Sequence, residues 1–313
     1  MGAIITNIAT VFIIMGVGYL INRVGVLSGK ANDYLSPLLI QVTAPCMVFS
    51  SISTREVDEG TMGSVLLAIL MSALFFIIFS AIGWVICAKI LKLGDDENCG
   101  VFILLFSSIN NGFMGFPITL AVFGEDALFY MAFFQMTLMI FLYGPGILIV
   151  HFGDKGKLNI KRMLAALAPN TLASLLGIIV LFTGIKLPAL IADPIDIIGD
   201  ATVSLSMIVI GIQLGNSNFR EVIKDRRVIV ESVLKMIIVP VVTFLLVNWL
   251  PISDMLKIVF VFGSAFPSAV AVTPIAAMEG KDAKASAEGV ALTTLMSLAT
   301  LPLAAAVLSA LYF

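Results

Sequence analysis

The chain has 313 residues, 60% of them apolar and 12% charged, and a net charge of −2; its mean hydropathy is +1.10. Average soluble domains carry about 45–50% apolar and about 25% charged residues, so this chain lacks the polar surface that a water-soluble globule of its size needs. That excludes a soluble enzyme, a nucleic-acid binder, a secreted disulfide scaffold and a disordered chain, and leaves a polytopic all-α membrane protein.

A membrane-crossing helix needs about 20 mostly apolar residues. On that rule the sequence predicts ten spans, at 3–21, 34–52, 63–88, 98–123, 127–151, 164–184, 196–215, 228–250, 256–278 and 286–312. Charges collect in the short joins between them. No Lys or Arg precedes the first apolar run, so it reads as a span and not as a signal peptide. Cys46, Cys87 and Cys99 lie in or beside apolar runs without a CxxC, which argues against a disulfide framework or zinc site. His151 is the only histidine and reads as an interfacial or loop residue.

Basic residues in short loops set orientation. The odd-numbered loops carry fourteen Lys and Arg, from Arg23 to Lys284, and the even-numbered loops carry three, Arg55, Lys186 and Lys257. The odd loops are therefore expected in the cytoplasm and both termini outside it, in a bacterial inner membrane.

Two stretches repeat. Phe123-Gly124-Glu125-Asp126-Ala127 closes the fourth span, and Glu279-Gly280-Lys281-Asp282-Ala283 closes the ninth, 156 residues later. At that offset Ser108 faces Ser264 and Asn111 faces Pro267. Five spans per half is an odd number, so the second half enters inverted. The expected organisation is a first repeat over 1–152, a cytoplasmic linker over 153–163 and a second repeat over 164–313. Inverted repeats mark transporters that bind substrate near the midplane, where discontinuous helices meet.

The fourth and ninth spans carry the chemistry. Ser108-Ile109-Asn110-Asn111-Gly112-Phe113-Met114-Gly115-Phe116-Pro117 places two amides, two glycines and a proline inside an apolar run. Gly263-Ser264-Ala265-Phe266-Pro267-Ser268 continues to Pro274 with a second proline and hydroxyls. Proline removes an N–H and disfavours helix before it. Backbone groups freed in hydrocarbon must find protein, water or ligand. Two broken helices that cross aim half-helix N-termini at one point, which suits an anion.

These residues resemble the auxin efflux carrier family. Asn110 to Pro117 is similar to its N-x4-G-x-P segment, and Ala265-Phe266-Pro267-Ser268 to the A-L-P-x of its other crossover helix. Val42-Thr43-Ala44-Pro45 with Phe49, Asp200-Ala201, Gln135, and Lys235 five before Pro240 follow in the family's order. The resemblance implies a secondary carrier of small organic anions, mono- or dicarboxylates, moving cargo by an elevator mechanism. It implies a scaffold of helices 1, 2, 6 and 7, a mobile domain of helices 3–5 and 8–10, and a homodimer through the scaffold. Two departures stand out. The long cytoplasmic loop of plant members is missing, and their acidic residue in helix 3 has no counterpart in 63–88.

The candidate substrate-binding residues are Asn110, Asn111, Gln135, Pro117, Pro267, Ser268 and Pro274, with main-chain N–H groups around Asn111 and Ser268 expected to receive the carboxylate. Ser108, Ser264, Lys235, Glu231 and Asp200 are candidates for coupling or for polar cavity walls. Glu231 and Lys235 lie four apart on one helix face. They admit a mutual ion pair, a lysine that snorkels to the interface, or a cavity cation. Asp200 is either interfacial or functional. No cofactor is expected beyond a coupling Na⁺ or H⁺. The sequence has no P-loop and no carboxylate, histidine or cysteine at the breaks over 106–117 and 263–274, so a carrier is favoured over a membrane enzyme, a sensor or a channel. A sodium-coupled carrier like the bile-acid symporters is the alternative.

Overall fold

The computed structural model describes residues 2–57, 60–94, 96–152, 169–217, 222 and 224–312. The expected linker at 153–163, the start of the expected sixth span at 164–168, and the basic residues Lys155, Lys157, Lys161, Arg162 and Arg220 lie outside the described residues. Every regular element among those described is helical.

The first half contains α1 (Gly2–Arg23), α2 (Gly29–Ser53) and α3 (Thr61–Ile90). It continues with α4 (Cys99–Ser107), α5 (Phe116–Phe123), α6 (Glu125–Tyr143) and α7 (Pro145–Val150). The second contains α8 (Pro169–Thr183), α9 (Ala189–Asn216) and α10 (Arg226–Val247). It ends with α11 (Asp254–Ser264), α12 (Val272–Met278) and α13 (Ala283–Tyr312). Counting α4 and α5 as one stretch, eight helical stretches among the described residues are long and apolar enough to cross a bilayer.

Three elements differ from the sequence expectation. The fifth apolar run is cut at Gly144 (φ −104°, ψ −100°), and Pro145 starts the separate α7; the residue before a proline is driven out of the helical region. α9 starts at Ala189, earlier than expected, and carries Pro194 inside it. α2 starts at Gly29, earlier than the expected 34.

Without a hydrophobic drive between helices in lipid, packing depends on close backbone approach. α1 lies along α9 in this way. A Cβ on Gly18 would sit 2.4 Å from the Ile208 carbonyl oxygen, and one on Gly211 would sit 2.1 Å from that of Met15. α2 packs on α8 and α9, so α1, α2, α8 and α9 form one set. In the other set α6 is nearly all buried between α3 and α11. Phe134 of α6 meets Phe75 of α3 edge-on at 5.0 Å and Phe260 of α11 at 4.8 Å between ring centroids. The two sets meet where α1 packs on α5 and where α6 packs on α2 and α8.

Candidate functional site

The two interrupted spans touch at their breaks. α4 ends at Ser107, and Ser108 is extended (φ −86°, ψ 154°). One wide turn over Asn111–Gly115 then leads into α5. Asn110 starts that turn; its side-chain oxygen accepts from the Phe113 N–H at 3.4 Å. On the other chain segment, 265–271 lies between α11 and α12. The Asn110 N–H donates to the Pro267 carbonyl at 2.8 Å, which joins the two breaks. The Ala269 N–H donates to the Ser108 hydroxyl at 3.3 Å, and the Ser268 hydroxyl donates to the Leu105 carbonyl at 2.8 Å. Backbone groups freed by leaving the helix are thus satisfied across the junction, as a lipid-embedded chain requires.

Lys235 of α10 anchors the joint. Its side chain is fully buried. Nζ donates to the carbonyls of Leu105 (2.7 Å) and Ser108, and to the Ser268 hydroxyl at 3.0 Å. An ammonium has three donors, and all three are used. Lys235 therefore neither snorkels nor pairs with Glu231: among the described residues no cation lies within salt-bridge distance of Glu231. The helix face shared by the two residues made pairing available, and the uncapped carbonyls of the broken α4 outcompete it.

Beside the junction lies a cavity of about 120 Å³. The broken segments contribute Asn110, Asn111, Gly112 and 269–271, α6 contributes Gln135 and Tyr143, α2 contributes Leu39, Ile40 and Ala44, and α8 contributes Asn170. Four amides therefore meet there, each at most 5% exposed. Asn110 Nδ2, both polar atoms of Asn111, Gln135 Oε1 and Asn170 Oδ1 have no hydrogen-bond partner among the described residues. Buried polar atoms in folded proteins are paired with few exceptions, so five without a partner on one cavity set this place apart. Gly112 keeps the floor open: a Cβ there would meet Gln135 Nε2 at 3.3 Å.

The other sequence candidates fall elsewhere. Ser268 does not line the cavity, and its N–H donates to the Thr293 hydroxyl at 3.2 Å, so it offers no free donor to a carboxylate. Ser264 turns back to its own helix, donating to the Val261 carbonyl at 2.6 Å. Pro117 sits in the first turn of α5, and Pro274 is exposed on α12; each starts a half-helix. Asp200 is remote. It lines an open vestibule of about 570 Å³ with Arg55, Glu56, Glu125, Asp126 and Asp196. His151 reaches Glu279 at 2.7 Å, linking α7 to the end of α12.

Asn170 and Tyr143 were not singled out by the sequence reading. Asn170 is an amide directly after Pro169 at the head of an apolar run, a pattern that signals a helix start and not a ligand. Only the approach of α8 to the junction gives it a role.

The helical architecture, the apolar spans and the helices broken inside them define a multi-pass membrane protein. The chain belongs to the membrane transport protein family, the auxin efflux carriers, whose model matches residues 3–305. It is similar to an uncharacterized transporter of Methanocaldococcus jannaschii, 26% identical over 301 residues, covering 94% of this chain and 95% of the relative. It is likewise similar to an uncharacterized transporter of Methanothermobacter thermautotrophicus, 26% identical over 304 residues, covering 96% of this chain and 97% of the relative. The chain is a membrane transporter.

Proposed function

We propose that the protein is a secondary carrier of small organic carboxylates that binds its cargo in the amide-lined cavity at the helix junction. The observation that carries this reading is the group of unpartnered amide atoms of Asn110, Asn111, Gln135 and Asn170 around one buried cavity. Amide N–H groups and the α5 half-helix N-terminus are suited to a carboxylate. Among the described residues no charged side chain lines the cavity, so release strands no unpaired ion of theirs there. The volume is below the roughly 300–1,000 Å³ of drug-sized sites, which fits a small cargo.

We read the chain as ten spans in two inverted repeats. The helix boundaries support this: α5 starts at Phe116 and α12 at Val272, and 272 − 116 gives the 156-residue offset of the sequence repeat. The glycines that follow, Gly124 and Gly280, have φ of +79° and +68°, a region that favours glycine. α1, α2, α8 and α9 form the fixed scaffold, through which the protein dimerises, and the remaining helices move as the elevator. The cavity lies between the two sets, with Asn170 on the scaffold wall, so relative motion exposes it to each side in turn. Both termini face away from the cytoplasm of a bacterial inner membrane.

The alternative is a sodium-coupled carrier. Unwound carbonyls are the ligands that such an ion takes in transporters. Here the Lys235 ammonium already holds the Leu105 and Ser108 carbonyls, which favours a mechanism without sodium. Uptake of a panel of labelled mono- and dicarboxylates into proteoliposomes, with and without Na⁺, tests the proposal. Saturable, Asn110-dependent flux supports it. No flux of any member by folded protein would refute it.

A further inference from the structure

Glu231 has no role in the cavity, yet among the described residues it is the only fully buried acidic side chain. Its Oε1 has no hydrogen-bond partner, and its Oε2 receives one long bond, 3.4 Å, from the Ser232 hydroxyl. One turn further along α10, all three Lys235 donors are committed to the junction. An ionised carboxylate left in this position is poorly solvated, while a proton on Oε1 removes its charge.

Among the described residues the surroundings offer no other counter-ion. Of the helices packed on α10, α4 brings the buried Cys99, and the buried Cys87 lies at the end of α3. α13 brings Lys284 and Glu288, 3.8 Å from each other at its start. α11 brings Asp254 and Lys257, 3.6 Å apart at the far end of α10. On α10 itself Arg227 is held by Asp225 at 2.7 Å. Arg227 and Asp225 line an open pocket of about 470 Å³. Glu231 is four residues deeper, roughly 6 Å at ~1.5 Å per residue, so water in that pocket is a near source of protons.

We propose that Glu231 is a proton-binding site whose occupancy is tied to the helix junction through Lys235. In the joined arrangement, with Lys235 bonded to the broken helices, Glu231 holds a proton on Oε1. When the junction bonds release, Lys235 is within i,i+4 reach of Glu231, and the carboxyl group returns its proton to water in the Arg227 pocket as the ion pair forms. No other reactant is consumed. The link to transport rests on the carrier reading above; the proton site itself does not.

The test uses purified full-length protein in detergent with no cargo present. Infrared difference spectra are recorded over a pH titration and read at the carbonyl stretch of protonated carboxylic acids. The expected result is a titrating band that is lost in Glu231→Gln and displaced in Glu231→Asp, which keeps a carboxyl group should the Gln variant fail to fold. The Lys235→Met variant, which removes the partner of the ionised form, should shift the titration of that band. A band unchanged by both Glu231 substitutions, or no titrating band, would overturn the proposal. Because no cargo is used, that failure would leave the carrier reading standing, and absence of carboxylate flux would leave the proton site standing.

Discussion

The main-chain N–H of Asn110 donates to the carbonyl of Pro267 at 2.8 Å, across 157 residues of sequence. This bond fastens the break in one half of the chain to the break in the other. It also fixes the Asn110 side chain on the cavity, with Oδ1 turned to the Phe113 N–H and Nδ2 unpartnered.

Lys235 holds the same joint from below, so its loss should be felt as instability. Leaving a buried acceptor without its donor costs about 1–3 kcal/mol. Lys235→Met leaves the Ser108 carbonyl without its donor and the Leu105 carbonyl with the Ser268 hydroxyl alone. Thermal unfolding in detergent should show a clearly lowered midpoint. A midpoint equal to wild type would mean that these bonds do not support the junction.

The α1–α9 contact has no room for a side chain. Gly211→Leu must push apart two backbones that now touch near Met15 and Gly18. Overpacking of this kind costs about 1–3 kcal/mol or more. The variant should elute as a heterogeneous or aggregated species in size-exclusion chromatography, whereas Gly16→Leu, where a Cβ meets nothing within 4 Å, should remain monodisperse.

Asp225 caps α10, accepting from the Arg227 N–H at 2.9 Å. The Arg227 guanidinium and that N–H hold its carboxyl below the usual carboxylate range. A lowered folded-state value stabilises the fold above the unfolded carboxylate's range, and the contribution is lost as pH falls through the folded value. Asp225→Ala should cost about 1 kcal/mol near neutrality. The gap between variant and wild-type melting temperatures should close on acidification. A gap that stays constant with pH would contradict the assignment.

The vestibule around Asp200 carries five carboxylates and one arginine. A mouth of one sign repels ligands of that sign, and the effect falls with salt. In the proposed orientation the vestibule faces away from the cytoplasm, and Asp196→Asn/Asp200→Asn should speed carboxylate entry from that side at low salt by about tenfold at most, with the difference shrinking at high salt. Initial-rate uptake at two ionic strengths measures this. Equal rates at both would remove the vestibule from the anion's path.

Much of this was legible in the sequence for a definite reason. Apolar runs report spans directly, and Pro, Gly and Asn inside such runs report where a helix must break, so 108–117 and 264–274 were found without coordinates. Asn110 and Asn111 stood out as amides at a helix break and Gln135 through the family resemblance, and all three line one cavity. What remained hidden depends on which surfaces meet. Ser268 looked like a free donor until Thr293 of α13 was seen to take its N–H. Asn170 lay within the expected span over 164–184 with nothing to mark it until α8 was placed beside the cavity. Lys235 and Glu231 were left open between an ion pair, a snorkelling lysine and a cavity cation, because spacing shows only what shares a face, not which acceptors another helix has left uncapped.

The central claim is that the unpartnered amides at the junction bind the cargo carboxylate. Calorimetric titration of carboxylates identified by the flux panel, on folded wild-type and Asn110→Ala protein, tests it most directly. A hydrogen bond to a charged group is worth about 1.5–3 kcal/mol, so the alanine variant should bind at least about tenfold more weakly while retaining its helical content. If Asn110 only caps the turn into α5, the variant will melt earlier and bind with wild-type affinity, and that result would contradict the account.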